Sequence, residues 1–214
     1  KMNPPMNLKH REERGRTNES FMAKLHKMHP NEVGGLLMRI DAKISKEPKN
    51  PQTFFNKGLA LMRLKMFKEA LDPLKKSIDI NPESPSAHFQ IGNAFLEIGQ
   101  LPMAKKGFER SISLNPNSAI AYHKLSVVLS KQGKNIDAIE KADKALSIDP
   151  NKINFLMHMG HIYVHLIRLD EGKKYFEKAL KLEPNSVEIK QAIFNVERLR
   201  GNKKEAKRIN DEIL

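Results

Sequence analysis

Residues 94–117 read AFLEIGQLPMAKKGFERSISLNPN, and their arrangement of small, large apolar and proline residues returns at a fixed period along the chain. The proline of this stretch belongs to a series with one constant spacing: Pro48, Pro82, Pro116, Pro150 and Pro184. A fixed period of this length indicates stacked copies of one small structural unit. We therefore predict a repeat protein.

Each period, counted in slots from residues 51, 85, 119 and 153, combines small and large apolar residues. Slot 8 holds Gly58, Gly92, Ser126 and Gly160, slot 20 holds Ala70, Ala104, Ala138 and Gly172, and slot 24 holds Leu74, Phe108, Ala142 and Phe176. Small residues let two helices approach closely, and large ones fill the space beside that contact. Gly99 and Gly133 are placed to end one helix, and each Asn-Pro or Asp-Pro pair to end the next. The pattern predicts a hairpin of two helices per period.

This pattern, together with KYFEKALKLEPN at residues 174–185, resembles the tetratricopeptide repeat (TPR) family over residues 51–184. The resemblance implies an all-α fold, a right-handed α-solenoid of helix hairpins. The aromatic residue usual at slot 4 is present as Phe54 and Tyr122 and is replaced by His88 and Leu156.

The repeat frame also predicts the organisation of the chain. Four regular repeats cover residues 51–84, 85–118, 119–152 and 153–186, and residues 187–214 form a capping hairpin. Its polar residues Lys190, Glu197 and Lys207 suit an outer face that meets water. Residues 17–50 are either a degenerate N-terminal repeat or a mobile arm, with an apolar stripe of Phe21, Leu25 and Met28. Residues 1–16 are a basic segment predicted to be disordered.

The composition restricts the possible functions. The net charge is +13, spread along the chain with a mild concentration at the N-terminus, and it favours acidic partners. The absence of cysteine excludes disulfides and thiolate metal sites and fits a reducing compartment. No run approaches eighteen apolar residues, so no membrane-spanning segment is expected. We predict a cytoplasmic protein; peripheral association with a membrane stays open, as does a targeting segment removed before Lys1.

In TPR proteins the first helix of each hairpin lines a concave groove that takes an extended peptide or a partner's helix. The corresponding slots hold Phe55, Asn56, Leu59, Met62, Phe89, Gln90, Asn93, His123, Lys124, Lys131, His158, His161 and His165. The first two repeats should bind apolar side chains and peptide backbone, and the next two should be cationic or switchable by protons. We therefore predict a partner with apolar and acidic residues, while binding through the convex face, the edges or the termini remains an alternative.

Two more specific ligands are not favoured. The basic clamp with which some TPR proteins hold chaperone C-termini would need lysine and asparagine at slots 5 and 9, where repeat one has Phe55 and Leu59. His161 and His165 are four residues apart and could chelate a transition metal, but no carboxylate obviously completes a site. We predict no metal and no cofactor.

The residues bear on three functional classes. The first is a non-catalytic protein-interaction scaffold, because no phosphate-binding glycine loop, HExxH motif or nucleophile elbow is present. The second is a scaffold that self-associates through its N-terminal region on a membrane or bacterial organelle surface, as in small TPR proteins such as the scaffold of magnetosome vesicles. The third, a nucleic-acid-binding helical repeat, is disfavoured because the chain has no tryptophan and only three tyrosines for base stacking.

Overall fold

A computed structural model describes residues 21–213, and within this range every regular element is a helix. The predicted disordered segment 1–16 and the first residues of the 17–50 region lie outside the described residues. The chain divides into two compact units between Gln100 and Leu101, which are described separately below. The all-α fold expected from the sequence is confirmed.

The described part of unit 1 contains five helices joined by short turns. They are α1 (residues 21–27), α2 (Pro30–Lys46), α3 (Pro51–Arg63), α4 (Phe67–Ile80) and α5 (Pro85–Glu97). From α2 onward each helix packs on the next one in the chain, and α3 also contacts α5. Helices α3 and α4 are therefore the two arms of the hairpin predicted for residues 51–84.

Unit 2, described up to residue 213, contains seven helices and continues the same up-and-down order. They are α6 (Leu101–Leu114), α7 (Ala119–Lys131), α8 (Asn135–Ile148), α9 (Ile153–His165), α10 (Leu169–Leu182), α11 (Val187–Leu199) and α12 (Lys203–Asp211). Sequential helices pack against each other, and α7 also contacts α9. The first helices of successive repeats therefore lie side by side, which is the arrangement that a binding face requires.

The helix ends follow from local chemistry. The side-chain oxygen of Asn50 accepts a hydrogen bond from the Gln52 amide at 3.0 Å, and Pro51 occupies the first turn, where its missing N–H costs nothing. Helices α4 and α10 end two residues before a repeat proline. The residue before a proline is pushed out of the helical region, so the prolines set where the second helices stop.

Small residues stand where the helices of a hairpin are closest. A Cβ added to Gly58 would lie 2.6 Å from Cγ of Leu74, and one added to Gly172 would lie 2.7 Å from Cγ2 of Val164. In the fourth repeat a Cβ on Gly160 would collide with the Phe176 ring. Slot 8 is thus in direct contact with slot 24, as the sequence pattern predicts.

The turns inside the hairpins use a left-handed residue. Gly99 and Gly133 have φ of +77° and +75°, which confirms their predicted role. In the first and fourth repeats the same position is Lys65 and Ile167, each with φ of 59°. A β-branched residue is strained in this region, so Ile167 is an outlier that the fold alone does not favour.

The two ends of the chain depart from the regular pattern in different ways. Near the N-terminus Leu25, Val33 and Ile40 are buried and α2 packs on α3, whereas the choice between a degenerate repeat and an arm remains a prediction. At the C-terminus the expectation that Glu197 faces water is wrong. Its side chain is fully buried, because Lys173 reaches it at 2.9 Å and Arg200 at 3.2 Å. These ion pairs tie α11 to α10 and to the turn after α11.

Candidate functional site

The candidate binding face of unit 1 is formed by the first helices α3 and α5. Met62 and Phe89 are half-buried on it. The amide side chains are also half-buried and are hydrogen-bonded within their own helices: Gln52 donates to Asn56 at 2.8 Å, and Asn93 donates to Gln90 at 3.3 Å. These half-buried side chains can donate to and accept from a peptide backbone, because each amide carries both an NH₂ donor and a carbonyl acceptor.

Two of the residues predicted to line this face are not accessible. Phe55 is 5% exposed and Leu59 is 2% exposed, whereas slot 9 stays accessible in the later repeats, at Asn93 and His161. The Arg63 guanidinium, also on this face of α3, donates to the Met28 carbonyl at 3.4 Å, so the chain just after α1 reaches this face. Leu25 of α1 is buried as well, and α2 packs on α3.

The candidate face of unit 2 contains a pair of packed histidines between α7 and α9, of which His123 is buried and His158 is half-buried. The His123 ring stacks on Phe155 at 4.5 Å between ring centres and meets the His158 ring edge-on at 5.2 Å. The Ser126 hydroxyl donates to the Ala138 carbonyl at 2.7 Å, so it must accept from Nε2 of His158, 2.9 Å away. The Ser126 hydroxyl therefore joins α7 to both α8 and α9.

Both rings of this pair are neutral at physiological pH. Burial, and then the charges of His158 and Lys124, lower the pKa of His123 to about 3. Burial, and then His161, lower the pKa of His158 to about 4, against the hydrogen bond with Ser126. The expected cationic or proton-switchable face therefore does not take positive charge from His123 or His158 near neutral pH.

The accessible residues of this face lie nearer to solvent. Lys131, His161 and His165 are exposed and Lys124 is half-buried. The His161 ring nevertheless lies edge-on to Phe176 at 5.0 Å, and this partial burial lowers its pKa, while Glu188 acts in the opposite direction. Lys124 and Lys131 therefore supply positive charge to this face.

The structure also bears on metal and membrane sites. Over residues 21–213, no group of three histidine or carboxylate side chains is arranged to hold a metal ion, and His161 and His165 are not joined by a third ligand. None of the described helices combines the length and apolarity needed to cross a membrane.

Two features of unit 2 were not anticipated from the sequence. Ser126 is a hydrogen-bonding centre, and the available signal was a hydroxyl at a slot that is glycine in the other regular repeats. On another surface, a hollow of about 390 Å³ between α9 and α10 is lined by Tyr163, Tyr175 and Lys178 among others. The tyrosine rings stack at 5.6 Å between ring centres, and the repeat pattern gives no indication of this contact.

Comparison with known proteins agrees with this architecture. One family model, described as a tetratricopeptide repeat, matches residues 51–84, 85–118 and 153–186, and a second model of the same description matches residues 108–140. No curated protein matches the chain.

Solved structures give matches over most of the chain. The crystal structure of MamA is 30% identical, with 72% of this chain and 90% of that chain covered and a TM-score of 0.69. The 41-end form of MamA from Desulfovibrio magneticus RS-1 is 21% identical, with 76% and 92% covered and a TM-score of 0.71. YrrB, described as a TPR protein with an unusual peptide-binding site, is 17% identical, with 81% and 90% covered and a TM-score of 0.67.

The last two similarities are low in sequence identity and concern the fold alone. The family matches together cover more than half of the chain, and the solenoid structures agree with its paired helices. This chain therefore belongs to the tetratricopeptide repeat family.

Proposed function

We propose that this protein is a non-catalytic scaffold that binds an extended peptide or a partner's helix on the faces formed by its first helices. The observation that carries the proposal is the accessibility of polar and apolar side chains at the slots that do not hold the hairpins together. TPR proteins act in general through such protein contacts.

The two faces would recognise different parts of a partner. On unit 1, Met62 and Phe89 offer half-buried apolar surface beside the amides of Gln90 and Asn93. This combination suits an apolar side chain and the peptide groups next to it. Phe55 and Leu59 are too deeply buried to take part in this contact.

On unit 2 the accessible cations favour carboxylates. Lys124 and Lys131 supply positive charge, and His161 and His165 can donate or accept hydrogen bonds. A partner with acidic and apolar residues therefore fits this face. We propose that the binding takes place in the cytoplasm. The neutral rings of His123 and His158 pack between α7 and α9 and add no charge to this face.

A peptide-display selection tests this proposal directly. Short random peptides are selected on the intact protein, and the winners are titrated against Lys124→Glu/Lys131→Glu. A matched control, Lys106→Glu/Lys144→Glu, changes the same charges on second helices at exposed positions. We expect peptides with acidic and apolar residues whose affinity falls at least about tenfold only with the first variant. Equal losses in both variants, or none, would refute a binding face on the first helices.

A second candidate function, a self-associating scaffold on a membrane or organelle surface, is favoured by the 30% identity with MamA. A surface on α2 could serve it: Met38 is 76% exposed, and neither Gly34 nor Gly35 would bring an added Cβ within 4 Å of another group. The exposed Met38 side chain lies near the helix backbone at Gly34 and Gly35, which no side chain covers. Another copy of the protein could therefore pack closely against α2 at this point.

Light scattering over a wide concentration range tests this alternative. We expect particle size to rise with concentration and Met38→Ser to abolish that rise, while Met103→Ser, which changes a less exposed methionine, leaves it unchanged. A monomer at every concentration would exclude self-association and would leave peptide binding unaffected.

A further inference from the structure

Three aliphatic side chains of unit 2 are unusually exposed at or beside the turns inside its hairpins. Ile136 is 82% exposed, Ile167 is 77% exposed and Leu199 is 63% exposed. At these exposed fractions, few atoms of the protein contact the side chain. The side chain therefore does not form part of a pocket into which a protein partner could insert a residue. Isolated apolar side chains of this kind suit a medium into which they can be inserted.

These side chains lie on one edge of unit 2. Its helices alternate in direction, so the turns between α7 and α8, α9 and α10, and α11 and α12 come together. The ion pair of Asp170 with Arg200, at 2.9 Å, joins the second of these turns to the third. We call residues 131–137, 165–171 and 199–205 the turn edge, and residues 114–120, 148–154 and 182–188, at the other end of the helices, the proline edge.

The charges of the two edges are opposite. The turn edge carries six exposed basic residues, Lys131, Lys134, Arg168, Arg200, Lys203 and Lys204, against two exposed acidic residues, Asp137 and Asp170, and two half-buried ones, Glu171 and Glu205. Two of these cations are paired within the protein, Arg168 with Glu171 and Arg200 with Asp170. The proline edge carries one exposed basic residue, Lys152, against two exposed acidic residues, Glu183 and Glu188, and the half-buried Asp149. Aliphatic side chains among lysines and arginines are the pattern with which proteins attach to anionic lipid headgroups. The excess of positive charge therefore favours the turn edge, and not the proline edge, as the surface that contacts anionic lipid.

The backbone at Ile167 gives an independent observation. With φ of 59° this residue occupies the left-handed region, where glycine is favoured and a β-branched side chain is strained. The equivalent turns of the neighbouring hairpins use Gly133 and Gly201. An isoleucine that strains the backbone and buries almost none of its own surface contributes little to folding. Such an outlier indicates a role outside the fold.

We propose that the turn edge of unit 2 docks on an anionic lipid bilayer, with Ile136, Ile167 and Leu199 entering the headgroup region and the surrounding cations contacting lipid phosphates. Ile136 and Ile167 lie outside the groove slots, whereas Leu199 occupies the slot that Arg63, Lys131 and His165 fill in the regular repeats. Lys131 belongs to both surfaces, so the two isoleucines are the residues that distinguish lipid docking from peptide binding by the first helices. Lipid docking requires no helix to cross the membrane.

Vesicle sedimentation with the full chain provides the test. The protein is expected to bind phosphatidylcholine vesicles containing about 30% phosphatidylserine, to bind pure phosphatidylcholine much more weakly, and to dissociate as salt is raised. Replacing both isoleucines in Ile136→Ser/Ile167→Gly should weaken binding at least about tenfold. The matched control Leu182→Ser/Val187→Ser, on the proline edge, should bind as the unmodified protein does.

Two further measurements separate docking from misfolding. Ile167→Gly alone should raise the melting temperature by relieving strain, while vesicle binding falls. Since the chain has no tryptophan, Ile136→Trp introduces a unique fluorophore, which should shift to the blue on anionic vesicles and be quenched by brominated lipid. Val187→Trp should do neither. Absence of binding to anionic vesicles, equal loss in the control, or an unshifted Trp at position 136 would overturn the proposal and leave an acidic protein as the partner of this edge.

Discussion

Acidification should destabilise unit 2 through the histidine pair of α7 and α9. Protonation of either ring would place a charge in a packed site, where His123 lies against Phe155 and His158 donates to Ser126. The folded-state pKa values of about 3 and about 4 lie below the ordinary 6.5 of histidine. The unfolded chain therefore binds more protons between these limits. Stability is full above about pH 6.5 and declines as the pH falls toward the folded pKa values.

The magnitude follows from linkage. At pH 5 an unfolded-state histidine with a pKa of about 6.5 gains ~2 kcal/mol from protonation, and a ring whose folded pKa is well below 5 gains almost nothing. Each histidine of the pair therefore lowers the free energy of unfolding by ~2 kcal/mol at pH 5 relative to about pH 7.5, and the two together lower it by on the order of 4 kcal/mol.

Urea unfolding followed by circular dichroism at about pH 7.5 and pH 5 measures the change. The variant His123→Phe/His158→Gln removes both titrations but keeps a ring against Phe155 and a donor for Ser126, so it should lose ~4 kcal/mol less than the unmodified protein on acidification. His165→Gln, at an exposed position, should behave like the unmodified protein. NMR titration of the imidazole protons gives the two pKa values directly. Two outcomes would refute the description of both rings as packed and neutral. One is a pKa near 6.5 for these rings, and the other is a double variant whose free energy of unfolding depends on pH as in the unmodified protein.

Three further substitutions test the packing. Gly160→Val should lower the free energy of unfolding by about 1–3 kcal/mol in urea titrations, because the new side chain would overlap the Phe176 ring. An unchanged urea midpoint would contradict direct contact between slots 8 and 24. Glu197→Ala should lower it by about 1–3 kcal/mol, since the charge of Lys173 loses its buried partner, and Lys173→Ala should have little extra effect once Glu197 is gone. Asn50→Ala should lower it by ~1 kcal/mol by removing the cap of α3, and Asn50→Ser should restore most of that loss.

The fold could be predicted from the sequence because the contacts that define it recur in every period. Gly58 with Leu74 and Gly160 with Phe176 are the same contact made twice, and a single sequence contains both copies. Helix ends were equally predictable, since an Asn-Pro or Asp-Pro pair acts on the backbone next to it without help from the rest of the fold.

The candidate site was harder to predict because its residues depend on neighbours outside the period. Leu59 occupies a slot that is accessible at Asn93 and His161, yet Leu59 itself is buried. Glu197 looked like a surface residue of a cap, and only the proximity of Lys173 and Arg200 shows why it is buried. Slot numbers specify a direction from the helix axis but not what stands in that direction.

The separation of packing slots from facing slots also explains where binding can evolve in this chain. A change at Gly160 disturbs the hairpin, whereas Lys124, Lys131 and His165 lie at slots that no hairpin contact requires. Within the facing slots the first repeat is already occupied by packing at Phe55 and Leu59, so the accessible surface of unit 1 shifts toward Met62 and α5. In unit 2 the packed rings of His123 and His158 form a contact between two first helices, and the lysines beside them remain available to a partner. Binding specificity should therefore change with the accessible residues of each face, such as Met62 and Lys131, and not with its packed residues, such as Leu59 and His123.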